Sequence, residues 1–465
     1  MLSLLLALGG ALPVDFDTHF TGRSLRFDYS HTGTADEEHI ALDRFRLEGP
    51  WSGSRVHLLD DSNLGKYLFC VVDPQTNRTL YSRGFASIYG EWETTGEAKH
   101  QWGVFHESQR LPEPRRPVQI LLKKRATDGT FREFYSTVVD PISRFVDRSE
   151  VARIGETWSW QTNGPAATKV DLLIVAEGYT AEQKGKFRLD VDRLAGTLFD
   201  TNPFKARRSD FNVHLLFVPA AASGISNPRA NVWRDSPFGL SFNAFDSDRY
   251  VLTYDNRTLR EAAAQVPYDA LILMFNDRKY GGGGIFNLWS TCAADSKPAP
   301  YLIVHEFGHS FAGLADEYYT SQVSYEDFIS EGAEPWEPNA TALLDPDKLK
   351  WKDLVVGSTP LPTPWNQAAY DDASYAYQKR RTDLRARGAS EEEMEVLFDE
   401  VKAITKPMLE GEPHAGKVGA FEGAAYQAKG LYRPEADCIM FTRNPKDFCR
   451  VCSRAIERVI DQYAE

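Results

Sequence analysis

Between residues 64 and 139 apolar and polar positions alternate in short runs, "LGKYLFCVVD", "QTNRTLYSRGFASIYGEW" and "RPVQILLKKRATDGTFREFYSTVVD", separated by Gly, Asn, Asp and Pro. A period of two with turn residues at this spacing predicts an all-β sandwich. The texture changes near residue 150. After the connection "GETWSWQTNGPAATK", the run "VDLLIVAEGY" (170–179) is apolar almost throughout, as a buried strand is, and "TAEQKGKFRLDVDRLAGTLFD" (180–200) has helical spacing with Thr180 as N-cap. Strands at 211–220 and 269–277 and a helix at 258–267 continue the alternation. "KYGGGGIFNLWSTC" (279–292) holds four consecutive glycines, which let a backbone approach something closely. From about 320 to 415 the chain is rich in Pro, Asp and Glu. It shows one helical segment, "SEEEMEVLFDEVKAI", with Ser390 and Glu393 in capping-box register. The expected class is mixed α+β. A possible signal segment covers 1–13, a β-sandwich domain 14–148, a linker 149–168 and an α/β catalytic domain 169–465.

Composition narrows the partners. The 465 residues carry 53 Lys plus Arg against 66 Asp plus Glu, a net charge of −13, which argues against an extended nucleic-acid or anionic-membrane surface. No later segment is apolar enough to span a bilayer, while Leu2 to Leu8 resembles the hydrophobic part of a secretory signal without a basic flank. A secreted, periplasmic or cell-surface protein is expected. Five cysteines exclude complete intrachain pairing, and Cys449-x-x-Cys452 reads as a local disulfide or packing, since two thiolates alone do not make a zinc site. Sequons at Asn77, Asn256 and Asn339 read as chance or glycosylation equally well.

The chemistry concentrates in "YLIVHEFGHSFAGLADEYY" (301–319). His305 and His309 stand at i and i+4, on one face of a helix, where both can hold one zinc ion. Glu306 beside them can serve as general base. An open catalytic site needs a third protein ligand, and no histidine follows before His414. Asp316, eleven residues after His305, shares the histidine face angularly but would lie ~16 Å away along a continuing helix. The helix must therefore end and the chain turn back, and Gly313 permits that as a left-handed terminus. Glu317 is the alternative third ligand. Downstream, "YRPEADCIM" ends at Met440, which reads as a Met-turn, a methionine packed beneath the histidines.

The order His305, Glu306, His309, Gly313, Asp316 resembles the metzincin pattern with one residue added before the glycine and aspartate in place of the last histidine. Together with "GGGGIFN", "KLKWKDLV", "VGAFEGAAYQAKGLYRPEADCIM" and "FCRVC", the chain resembles the immunoglobulin A peptidase family of zinc metallopeptidases over about residues 165–462. Residues 15–145 resemble its N-terminal region in architecture. The resemblance implies one catalytic zinc and hydrolysis of peptide bonds in protein or peptide substrates, without implying that this member cuts immunoglobulin A. Gly283, Gly284 and Ile285 would form an edge strand that pairs with extended substrate, and Tyr432 and Arg433 would contact it on the primed side. Two rivals stand beside this reading. One is a glutamate third ligand from "EEEMEVLFDE". The other is an exported, non-catalytic protein whose β-domain binds protein or glycan and whose zinc site is vestigial.

Overall fold

The computed structural model describes residues 13–321, 323–325, 329–330, 332–445 and 447–465. The proposed signal segment therefore lies, but for its last residue, outside the described residues. A one-turn helix, α1 (Phe16–His19), leads into β1 (Phe20–Gly33), β2 (Glu38–Pro50), β3 (Tyr67–Asp73) and β4 (Arg78–Phe85). After α2 (Ile88–Trp92) come β5 (Gly103–Pro114), β6 (Val118–Arg125), β7 (Phe131–Val139) and the short β8 (Val146–Asp147). They form two four-stranded sheets, ordered β5-β1-β2-β8 and β4-β3-β6-β7, antiparallel except for the β2–β8 pair. The alternation along β1 shows what each face does. Leu25, Phe27 and Tyr29 point into a core shared with Phe45, Phe69 and Tyr81, whereas Ser24, Arg26 and Asp28 are buried on the opposite face.

That polar face meets the second half of the chain. Arg26 bonds Asp28 at 2.7 Å and Glu261 at 2.8 Å, and Asn256 Nδ2 donates to Ser108 Oγ at 2.8 Å. A buried guanidinium is tolerable only with such partners. Asn256, one of the sequon residues, is thus buried in this contact. Asn339 is likewise fully buried, and Asn77 alone of the three sits on an exposed turn.

The second half is built on a six-stranded sheet. Its strands are β9 (Glu156–Gln161), β10 (Val170–Glu177), β11 (Phe211–Phe217), β12 (Ala270–Phe275), β13 (Gly282–Ile285) and β14 (Trp289–Ala293), in the order β13-β14-β12-β10-β11-β9. The four inner strands run parallel and the two edges antiparallel to their neighbours. All eight residues of β10 are buried, as its continuous apolar run requires. The stretch read as a connection supplies edge strand β9, because Thr157 and Ser159 pair with Leu216 and His214. Helices α3 (Lys184–Asp200), α4 (Asn256–Ala263) and α5 (Ala299–Ala312) follow the expected periodicity, and α3 packs on α5.

The Pro- and acid-rich stretch contains two 20-residue helices, α6 (Gln367–Ala386) and α7 (Glu391–Glu410), where the sequence suggested one. α6 escapes a periodicity search because it buries little beyond Tyr370, Ser374 and Arg381. In α7, Ser390 and Glu393 form the expected reciprocal cap, at 3.2 and 3.1 Å. A hairpin of β15 (Phe421–Ala424) and β16 (Gln427–Arg433) precedes the last helix, α8 (Arg450–Tyr463). Among the described residues no helix is long and apolar enough to cross a membrane.

His31 in β1 gives the sandwich a pH dependence. Its Nδ1 meets Glu107 at 3.0 Å and its Nε2 meets Glu38 at 2.7 Å. Burial alone would lower its pKa, but the Glu107 carboxylate and then Glu38 outweigh burial and raise it from 6.5 to about 9. A raised folded-state pKa stabilises the fold fully below the unfolded value and loses that contribution as pH rises through the folded one. The stability difference between wild type and His31→Gln in urea unfolding is therefore expected to be largest below pH 6.5 and to shrink towards pH 9. A difference that grows with pH over that window would contradict the ion-pair reading.

Candidate active site

Helix α5 is apolar on most of its surface, so it lies buried against β13 and β14 and carries His305, Glu306 and His309 to the rim of a cleft. It ends where the sequence demands. Gly313 has φ +61°, its N–H bonds His309 O at 3.0 Å, and the chain turns back. The return brings Asp316 Oδ1 to 3.0 Å from His305 Nε2 and 3.3 Å from His309 Nε2, with the two Nε2 atoms 3.1 Å apart.

The other ring nitrogens decide what these contacts are. His305 Nδ1 faces Ile439 O at 3.1 Å and the Tyr301 hydroxyl, which can accept from the same N–H, at 3.0 Å, and His309 Nδ1 faces Leu314 O at 2.6 Å. Carbonyl oxygens only accept, so each Nδ1 carries the proton and each Nε2 presents a lone pair. Two lone pairs and a carboxylate oxygen then converge on one point. No other N–H or O–H among the described residues satisfies Oδ1. Such a triangle requires a cation, either protons or a metal ion. The separations of 3.0–3.3 Å are near the ~3.4 Å edge of a tetrahedron with zinc–nitrogen and zinc–oxygen bonds of ~2.05 Å. The donor set of two imidazoles and one carboxylate suits a divalent transition metal. Where protons fill the place instead, burial is outweighed by the Asp316 carboxylate, and the His309 pKa is pushed up to about 9.

The second oxygen of Asp316 is tied down. Tyr426 donates to Oδ2 at 2.6 Å from a backbone in which both Ala425 (φ 46°) and Tyr426 (φ 67°) are left-handed. Strain of that kind persists only where surrounding contacts enforce it. Here Ala425 N–H bonds Asp316 O at 2.9 Å and Tyr426 N–H bonds Tyr318 O at 3.1 Å. Beneath the helix, Met440 is fully buried, and its sulfur would lie 3.3 Å from a Cβ added at Gly308.

The cleft, of about 250 Å³, runs from this triangle between β13 and the α6–α7 hairpin. Burial raises the Glu306 carboxyl above its usual range, against the two imidazoles that lower it.

Residues 159–460 match the family described as IgA Peptidase M64, and residues 15–136 match the family described as Peptidase M64 N-terminus. The chain belongs to the IgA peptidase M64 family. It is a peptidase, and M64 is a metallopeptidase family. No curated protein matched the chain.

In this M64 peptidase the structure brings together His305, Glu306, His309, Asp316, Gly283 and Gly284 around one cleft. Glu317, the alternative third ligand, faces away and lies in a separate cluster with three cysteines. The glutamates of "EEEMEVLFDE" do not approach the histidine pair, and Glu395 instead pairs with Arg443 at 3.1 Å. Three further residues expected at the substrate, Ile285, Tyr432 and Arg433, are not part of the cleft lining. Ile285 points into the core, Tyr432 exchanges backbone bonds with Thr341, and buried Arg433 donates to the carbonyls of Glu422, Gly423 and Ala436. Strand β13 is at the sheet edge as expected, but Gly282 is already bonded to Arg249 O and Val251 N–H.

Sequence reading missed Glu91, a cleft residue from the N-terminal half. Tyr250 and Tyr325 donate to it, and burial outweighs those bonds to push its pKa up to about 7. No local pattern around "SIYGEW" could have announced it.

The glycines matter because strand and helix nearly touch. A Cβ on Gly284 would lie 2.3 Å from Glu306 O and 2.9 Å from His309 Cβ. Gly284→Ala is expected to push β13 off α5 and lower kcat/KM by roughly 10²-fold, with metal content retained, as read by peptide cleavage and metal analysis together. Unchanged turnover would show that this close approach does not position the site.

Proposed function

We propose that the protein is a zinc-dependent endopeptidase in which His305, His309 and Asp316 hold one zinc ion and Glu306 is the general base. The observation that carries the reading is the convergence of two imidazole lone pairs on an otherwise unsatisfied carboxylate oxygen beside a half-buried glutamate whose proton affinity is raised. Bound there, zinc would supply Lewis acidity towards the scissile carbonyl and acidify water.

The chain's own residues do the rest. An extended substrate lies along the partly exposed backbone at Gly284, with the α6–α7 hairpin opposite, and its scissile carbonyl reaches the rim of α5. Glu306, whose proton affinity burial has increased, takes the proton of the attacking water and delivers it to the amide nitrogen as the carbon–nitrogen bond breaks. Tyr426 and the backbone of Leu314 and Ile439 keep the three donors oriented, so no reorganisation is needed at the moment of reaction. Met440, in the turn closed by Phe441 N–H to Cys438 O at 2.8 Å, acts as the Met-turn floor. The same reading treats 14–148 as an N-terminal domain and 169–465 as the catalytic domain, with Glu91 bridging them, and treats the Leu2–Leu8 run as an export signal.

Glu306→Gln is expected to keep the bound zinc and the fold while cleavage of a mixed peptide library falls by about 10²–10⁴-fold. Asp316→Ala is expected to lose that zinc. Mass spectrometry of digests beside metal analysis reads both. Undiminished cleavage by Glu306→Gln would rule out its role as base, and wild-type inactivity with zinc bound would favour a binding protein.

A further inference from the structure

Glu317 is fully buried, yet no Lys, Arg or His among the described residues forms an ion pair with it. Its Oε1 accepts from Asn339 Nδ2 at 3.0 Å and lies 3.3 Å from Cys452 Sγ, while its Oε2 accepts no hydrogen bond from any described residue. Arg433 acts on it electrostatically, but that guanidinium is committed to three backbone carbonyls. Around the carboxylate stand Cys438, Cys449 and Cys452, all buried and all free thiols. The two-thiol reading of the sequence is therefore corrected. Folding adds a third thiol from the Met440 loop and a carboxylate from the turn after Asp316, neither of which the Cys-x-x-Cys spacing could show.

The geometry is that of a ligand set. One donor atom from each of the four residues lies within 4.8 Å of every other. The sulfurs of Cys438 and Cys452 are 3.8 Å apart, too far for a disulfide bond of ~2.05 Å. That separation matches the ~3.8 Å edge of a tetrahedron with metal–sulfur bonds of ~2.3 Å. Backbone amides already face the sulfurs. Cys449 N–H points at Cys438 Sγ at 3.3 Å, and Cys452 N–H at Cys449 Sγ at 3.5 Å. Cys449 is also the N-cap of α8, so the positive end of that helix favours thiolate. An unpaired carboxylate among thiols in a dry interior is costly, and a soft divalent cation removes the cost.

We propose that the protein binds a second zinc ion through Cys438, Cys449, Cys452 and Glu317. Four protein ligands close the coordination sphere, so this ion is structural. It clamps three segments that the peptidase site depends on: the turn carrying Asp316, the loop carrying Met440, and the start of α8. Glu317 N–H already bonds Met440 O at 2.9 Å, and the ion would fasten the same junction through side chains.

The test uses the full chain purified under reducing conditions, with zinc counted per chain and cobalt exchanged in for absorption spectroscopy. Wild type is expected to hold two ions. The double variant His305→Ala/His309→Ala should keep one, with the near-ultraviolet charge-transfer band of thiolate-bound cobalt. Cys438→Ala/Cys452→Ala should lose that band, and Glu317→Gln should release one ion to a chelator several-fold faster than wild type. Should the cysteine variant fail to fold, the histidine variant still decides. An absent thiolate band in the histidine variant, or a cysteine pair recovered as a disulfide by intact mass, would overturn the proposal. Loss of the peptidase zinc reading alone would appear differently, as a wild-type protein with one thiolate-bound ion.

Discussion

Two imidazoles, buried His305 and half-buried His309, whose Nδ1 protons are claimed by backbone carbonyls leave their Nε2 lone pairs facing a carboxylate, and that unfavourable meeting organises the catalytic half of the molecule. Among the described residues no donor relieves it, so a cation must. The contacts that maintain the meeting come from one neighbour and two distant parts of the sequence: Leu314 just past the helix, Ile439 in the last loop, and Tyr426 on a left-handed backbone in the β15–β16 hairpin. Each is an acceptor or donor placed on a nitrogen or oxygen that is not a metal donor in the proposed site. Such outer contacts set tautomer and orientation.

Close packing then walls the site with strand, loop and helix. The glycine strand lies directly on α5 because no side chain intervenes at Gly282 or Gly284. Met440 fills the space under Gly308 from below, and α6 and α7 stand across the cleft. The sandwich is part of the same construction, since its α2 places Glu91 on the cleft wall while its β1 face is tied to α4 through Arg26 and Glu261. One sheet face is thus occupied by the peptidase half and is not free for a separate protein or glycan partner.

Much of this was legible in the chain. The β10 run, the helical spacing of α3 and the Ser390 cap are local patterns, and each formed as expected. The turn at Gly313 followed from arithmetic, because Asp316 could meet the histidines only if the helix stopped. What stayed hidden depends on tertiary contact. α6 has too thin an apolar stripe to declare itself, the three carbonyls that Arg433 donates to come from tertiary folding, and Glu91 gains meaning only from Tyr250 and Tyr325. Glu317 was visible as an acidic neighbour of Asp316, but adjacent residues that point in opposite directions serve different clusters.

Anomalous diffraction from crystals, recorded above and below the zinc edge, addresses the central claim most directly. The account predicts a strong peak in the triangle of His305 Nε2, His309 Nε2 and Asp316 Oδ1, with both Nδ1 atoms still on their carbonyls. A zinc-replete protein with no peak in that triangle, or with Asp316 turned away from an ion held by other residues, would contradict it.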